Sequence, residues 1–448
     1  MAVVERVTTG VGRLDEILDG GIPRYSQVFI VGMAGTGKTI LTQQCLFANA
    51  LLGHASLYLT TISEPSIKVV RYMQALDFFD NDLFGKKVIY ADIGGLVSAQ
   101  GWGGAIAGID SMVKTYRPFV VAIDSYRAIR DIVGDPVQFR EFTYDLSVRL
   151  ATWEVTSLLV GDYCDEDIST KPEFAVADGI MYLYGTEEAE KQKRFLRIMK
   201  MRGTAFFAGE HLFEITSAGI SVYPRMRPEV VGEYEFPGVR IGSAIEGFDE
   251  MLDGGLYKGT VTIIGGGTGS GKTLVAMSFL IQSTRQGQQG LFVTFEESPK
   301  QVIRNVQSFG WDLQALVDKK LLSIVHVSPS ELDIDKHAFL IKDAADQIGA
   351  RVVVIDSISA FEAAVPDPAK YQNYLWAISD YFKRHGVTVI LTAETAGLFG
   401  ADGVTTRGVS FVADNIIFLR YVEVGGETRP TISVLKMRGS GHDRAIRE

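Results

Sequence analysis

Short runs of consecutive apolar, mostly β-branched residues recur along the chain: VFIVG, VVAIDS and SLLVG in its first half, VTIIGG, VVVIDS and VTVILTA in its second. None shows the apolar and polar alternation of a half-exposed strand, so each predicts a strand buried on both faces of a parallel sheet. Between these runs the period lengthens. ILTQQCLFANALLG and LVAMSFLIQSTRQG carry apolar residues at helical spacing and end in glycine, a helix stop signal. Strand, helix, strand predicts an α/β fold in which a mainly parallel twisted sheet is flanked by helices.

The pattern occurs twice. GVGRLDEILDGGIPRYSQVFIVGMAGTGKT, from Gly10 to Thr39, is matched by AIEGFDEMLDGGLYKGTVTIIGGGTGSGKT, from Ala244 to Thr273. LYLTTISEP then matches LFVTFEESP, VVAIDS matches VVVIDS, and KMRG occurs near the end of each half. A period of more than 200 residues with so little drift is a duplicated domain, not a solenoid of short repeats. The expected organisation is a first domain over 1–222, a linker over 223–241 with three prolines, and a second domain over 242–448.

Composition narrows the classes. With 46% hydrophobic and 22% charged residues the chain has ample core material. The net charge of -10 argues against the broad basic surface of a duplex-DNA binder, so a nucleic-acid partner is not expected. Cys45 and Cys164 are the only cysteines and form no metal-binding spacing. The N-terminus lacks a signal-peptide pattern and no run approaches a membrane span, so a cytoplasmic location is expected.

GMAGTGKT from Gly32 and GGTGSGKT from Gly266 both satisfy the pattern GxxxxGK[ST], each after an expected strand and before an expected helix. That context predicts a phosphate-binding loop in both halves. Backbone amides of Gly32, Gly35, Thr36 and Gly37, and of Thr268, Gly269, Ser270 and Gly271, would wrap the phosphates of ATP at a helix N-terminus. Lys38 and Lys272 would reach the β- and γ-phosphates. Thr39 with Asp124, and Thr273 with Asp356, would hold Mg²⁺.

Hydrolysis needs a carboxylate that positions the attacking water. Glu296 and Glu297 in TFEESP supply two candidates in the second half. In the first half one alignment sets Glu64 and Ser63 against Glu297 and Glu296, and an ungapped one leaves Glu64 displaced altogether. Either way the first half is the weaker catalyst, although carboxylates at a helix N-terminus are also favoured by the dipole alone.

The repeated KMRG places Lys200 with Arg202 and Lys436 with Arg438. Two residues apart on a strand, each pair shares a side and could approach one phosphate, in ring ATPases often a neighbouring subunit's. A solvated basic edge strand is the alternative.

Together GFDEMLDGG, the GxxxxGKT loops, TFEESP, VVVIDS and KMRGSGHDRAIRE resemble the KaiC proteins of the RecA-like ATPase superfamily, over essentially the whole chain. The resemblance implies two tandem RecA-like P-loop domains, a double-ring homohexamer with ATP at subunit interfaces, and a regulatory protein partner. It further implies self-phosphorylation on adjacent Ser and Thr. Here Ser410 occupies the serine position, Phe411 replaces the threonine, and Thr405 matches a threonine used in phosphate transfer. The sequence also ends with HDRAIRE, where clock members of the family continue into a partner-binding tail, so a complete clock function is not expected.

Two other classes compete with a signalling ATPase and autokinase. A DNA motor of the same fold would need basic channel loops, whereas SISAFEAAVPDPAKYQNY and ETAGLFGADGVTTRGVS are weakly charged. A structural switch would bind ATP only to hold the ring together.

Overall fold

The computed structural model describes residues 5–61, 66–188, 191–226, 238–328, 333–365, 367–395 and 411–448. Most of the expected linker, Glu64, Thr405 and Ser410 therefore lie outside the described residues. The chain divides into two compact units, Met1–Arg225 and Met226–Glu448. Among the described residues, Tyr223 closes a strand of the first unit, while Arg240–Ile241 pairs with Leu256–Tyr257 in the second. Both ends of the 223–241 segment are thus tied into sheets.

In the first unit the strands are β1 (Gln27–Gly32), β2 (Ser56–Thr60), β3 (Val88–Asp92), β4 (Val120–Asp124), β5 (Thr156–Asp162), β6 (Gly179–Glu188), β7 (Lys191–Met201), β8 (Glu210–Thr216) and β9 (Gly219–Tyr223). They form one sheet in the order β9-β8-β7-β6-β1-β5-β4-β2-β3. The six strands β1 to β6 run parallel, and β7 to β9 add an antiparallel flank. Every residue of β1 is buried, as its unbroken apolar run requires of a central strand. Helix α1 (Lys38–Leu51) follows β1 and buries Leu41, Cys45, Leu46 and Phe47. Full burial of Phe47 alone contributes about 2–3 kcal/mol.

Beside the small pair Arg240–Ile241 and Leu256–Tyr257, the second unit repeats the plan with a seven-stranded sheet: β10 (Val261–Gly266), β11 (Gly290–Thr294), β12 (Leu322–His326), β13 (Val352–Asp356), β14 (Thr388–Glu394), β15 (Asn415–Val424) and β16 (Glu427–Met437). Their order is β12-β11-β13-β14-β10-β15-β16, with only β16 antiparallel. Helix α2 (Lys272–Arg285) follows β10, and α3 (Pro299–Gln307) follows β11. Both sheets are mainly parallel and flanked by helices, the tandem α/β architecture expected.

The most conspicuous sequence match, (L/F)DE(I/M)LDGG, is structural. The Asp15 carboxylate accepts from the Thr9 amide (2.8 Å) and the Thr8 hydroxyl (2.6 Å), and Asp249 accepts from the Ser243 amide at 2.7 Å. These bonds pin the chain entering each unit.

Candidate functional site

Parallel strands bring the ends of β1, β4 and β5, and of β10, β13 and β14, to one edge of each sheet, where such folds bind ligands. Each GxxxxGKT loop spans the gap between a central strand and its helix. Glycine is demanded there by space: a Cβ at Gly32 would stand 2.0 Å from the Leu183 carbonyl oxygen, and one at Gly266 would stand 2.4 Å from that of Leu419. Gly37 and Gly271 cap the following helices with φ of 97° and 95°, left-handed values that side chains disfavour.

Inside the loops, the Thr36 amide and hydroxyl both turn to the Met33 carbonyl, and the Ser270 amide turns to that of Gly267. The Ser270 hydroxyl is buried and unpaired. Lys38 donates to the Met33 carbonyl and Lys272 to the Gly267 carbonyl, both at 2.8 Å. The ammonium of Lys272 is pushed below its ordinary range by burial, against which the nearby Glu394, Asp356 and Glu296 carboxylates act.

The threonine ending each loop meets its expected aspartate. Thr39 donates to Asp124 and Thr273 to Asp356, both at 2.8 Å. The units then differ. Tyr58 donates at 2.8 Å to the same Asp124 oxygen as Thr39, whereas Thr392 bonds the other oxygen of Asp356. Burial raises the Asp124 pKa, opposed by the hydroxyls of Thr39 and Tyr58 and by Lys38.

These groups fit Mg·ATP. A hydroxyl and one carboxylate are hard oxygen donors of the kind Mg²⁺ takes together with phosphate oxygens. Among the described residues there is no larger cluster of His, Cys, Asp and Glu that could hold a metal. The start of each helix supplies free backbone amides for the phosphates.

Glu296 and Glu297 part company. Glu296 is exposed beyond the end of β11 and its charge acts on Lys272. Glu297 instead accepts from the Asn305 side chain at 2.8 Å, within the turn that opens α3. Of the two, only Glu296 has a charge that reaches Lys272.

Lys200, Arg202, Lys436 and Arg438 stand at the other edge of the sheets. Lys436 lies opposite Ile416, three positions before Leu419, which pairs with Gly266. Lys200 lies opposite Ile180, three positions before the partner of Gly32. The strands end at Met201 and Met437, so each arginine sits one residue past its strand, where its amide still bonds the Asp178 or Asp414 carbonyl. A bulge precedes each lysine, between Ile180 and Met181 and between Ile416 and Ile417 in the partner strands. Arg202 pairs with Asp178 at 3.5 Å and Arg438 with Asp414 at 3.7 Å. Burial, reinforced by the adjacent arginine, lowers the pKa of both lysines.

Two acids escaped the sequence reading. Asp162 closes β5 and forms a 2.7 Å ion pair with Lys38. Glu394 closes β14 and bonds the loop residue Thr268. The signal that could have found them is their equivalent place at the ends of the matching SLLVGD and VILTAE runs.

Residues 7–227 and 241–448 both match the family model described as "ATPase: KaiC". Circadian clock oscillator protein KaiC 1 of Synechocystis sp. is 29% identical, over 99% of this chain and 87% of that protein. Circadian clock protein KaiC3 of Synechocystis sp. is 30% identical, over 99% and 90%. Circadian clock oscillator protein KaiC of Thermostichus vulcanus is 30% identical, over 100% and 88%. With two equivalent phosphate-loop sites and this likeness along its whole length, the chain belongs to the KaiC family of ATPases and is a KaiC-like ATP-binding protein.

Proposed function

We propose that this chain is a Mg²⁺-dependent ATPase whose turnover is concentrated in the second unit, working as a homohexameric signalling or regulatory ring with ATP between subunits. The observation that carries the reading is the place of Glu296, exposed two residues past the end of β11 at the edge of the sheet where the loop lies. It suits the water-positioning role, with Thr273 and Asp356 holding Mg²⁺ and Lys272 the β- and γ-phosphates. The first unit, with Lys38, Thr39 and Asp124, binds ATP and helps form the ring.

Arg438 supports an assembly in which subunits share sites. It lies at the sheet edge away from its own loop, so a phosphate it serves belongs to a neighbouring subunit, as does one served by Arg202. Ser410, with Thr405 nearby in sequence, is the proposed acceptor for serine autophosphorylation, and the phosphorylated state is what a regulatory protein partner reads.

Phosphate release from the purified full chain tests the reading. Glu296→Gln with Glu297→Gln should remove most turnover, while Lys38→Ala should leave most of it. Undiminished release from the glutamine double variant would sink the assignment. Intact mass after incubation with Mg·ATP tests Ser410: one added phosphoryl group, lost in Ser410→Ala, is the expected result.

A further inference from the structure

In the first unit the loop lysine already has an anionic partner. Lys38 is 8% exposed and its ammonium pairs with Asp162 at 2.7 Å while donating to the Met33 carbonyl. The Asp162 side chain is 56% exposed, so its charge stands at the open side of the loop where a terminal phosphate must arrive. The second unit is wired otherwise. Glu394, at the equivalent strand end, bonds the hydroxyl of Thr268 and acts on Lys272 only at a distance, and Lys272 donates to the Gly267 carbonyl with no carboxylate paired to it directly.

We propose that Asp162 is a specificity-determining residue that disfavours the γ-phosphate in the first unit, so that this site favours the triphosphate over the diphosphate less than it would without that carboxylate. The inference rests on the reading of both loops as ATP sites. The physical argument is competition between two anions for one cation. Both nucleotides engage the loop amides and draw on Lys38 through the β-phosphate, and they differ only in the γ-phosphate. A triphosphate adds charge beside Asp162 and must share or displace that partner, a like-charge cost. Because Asp162 is half in water, the penalty is moderated by solvent, and an effect of about fivefold in relative affinity is expected.

The test uses the full chain carrying Lys272→Ala, which silences the second site. Competition against a fluorescent ADP analogue gives affinities for Mg·ADP and for a non-hydrolysable Mg·ATP analogue. Adding Asp162→Asn should raise the triphosphate-to-diphosphate affinity ratio by about fivefold or more. Asp162→Ser should do the same, and Asp162→Glu should return the ratio toward its starting value. An unchanged ratio, or one that moves toward the diphosphate, overturns the proposal and marks Asp162 as an ordinary ion-pair partner or a support for the bound metal. Failure of the Lys272→Ala chain to bind either nucleotide is a separate result, which overturns the ATP-site reading of the first unit and this inference with it.

Discussion

Arg438 offers the sharpest test of how a complete site is built. Its amide bonds the Asp414 carbonyl, five residues before Leu419, the partner of Gly266. Five strand residues span roughly 16 Å, and two strand spacings add about 10 Å sideways, so its Cα lies roughly 19 Å from the loop of its own unit. No side chain crosses that gap. If Arg438 stabilises charge on a terminal phosphate, that phosphate sits on another subunit, and Arg438→Ala should lower turnover by on the order of 10³-fold with the subunits still folded. Lys272→Ala should be equally inactive. When the two inactive variants are dissociated, mixed in equal amounts and reassembled, a site is intact wherever an Arg438→Ala subunit lends its loop to a Lys272→Ala neighbour. Random head-to-tail mixing makes about one site in four intact, so phosphate release should return to about a quarter of the unmutated rate. Mixed assemblies as inactive as either parent would refute the reasoning, as would an Arg438→Ala chain of normal activity.

The two glutamates should separate: Glu296→Gln lowers phosphate release by about 10²–10⁴-fold with nucleotide affinity retained, and Glu297→Gln, which keeps a partner for Asn305, costs less than tenfold. Equal losses would contradict the division of roles. Gly32→Ala forces a Cβ to within 2.0 Å of the Leu183 carbonyl oxygen, so it should lower the first unfolding midpoint in urea and abolish nucleotide binding when combined with Lys272→Ala; normal binding would disprove the close approach. Burial, with Asp15 adding, raises the Cys45 thiol pKa well above its ordinary 9.0. Its stabilising contribution is full below about pH 9 and is lost as pH rises further, because only the unfolded thiol then ionises. Native iodoacetamide labelling at pH 8 should accordingly modify the half-buried Cys164 and spare Cys45; rapid modification of Cys45 would be the contrary result.

Much of this was legible in the residues. The buried strands announced themselves as unbroken runs such as VFIVG and VTIIGG, because a central parallel strand has no wet face. The loops, Lys38, Lys272 and the Thr–Asp pairs followed from local spacing and strand context. What was not legible depends on register across the sheet. Asp162 is one acid in an ordinary strand end until β5 is placed beside β1, which brings it opposite Gly32. Tyr58 reads as a core aromatic, and only the pairing of β2 with β4 carries its hydroxyl to Asp124. For Lys200 and Lys436, strand periodicity cannot reveal the irregular pairing that precedes each of them or where the strand stops.

Placing the loop at one sheet edge and the basic pair at the other has a consequence for how such a protein behaves as its abundance changes. Under the proposed arrangement each unit of a lone chain owns half of two different sites and a whole one of neither. Specific activity is then not a constant of the molecule: on dilution it falls more steeply than concentration as rings come apart, and with rising expression it climbs until they are filled. The amount of protein present becomes an input to its own rate, available to a cell without any further ligand.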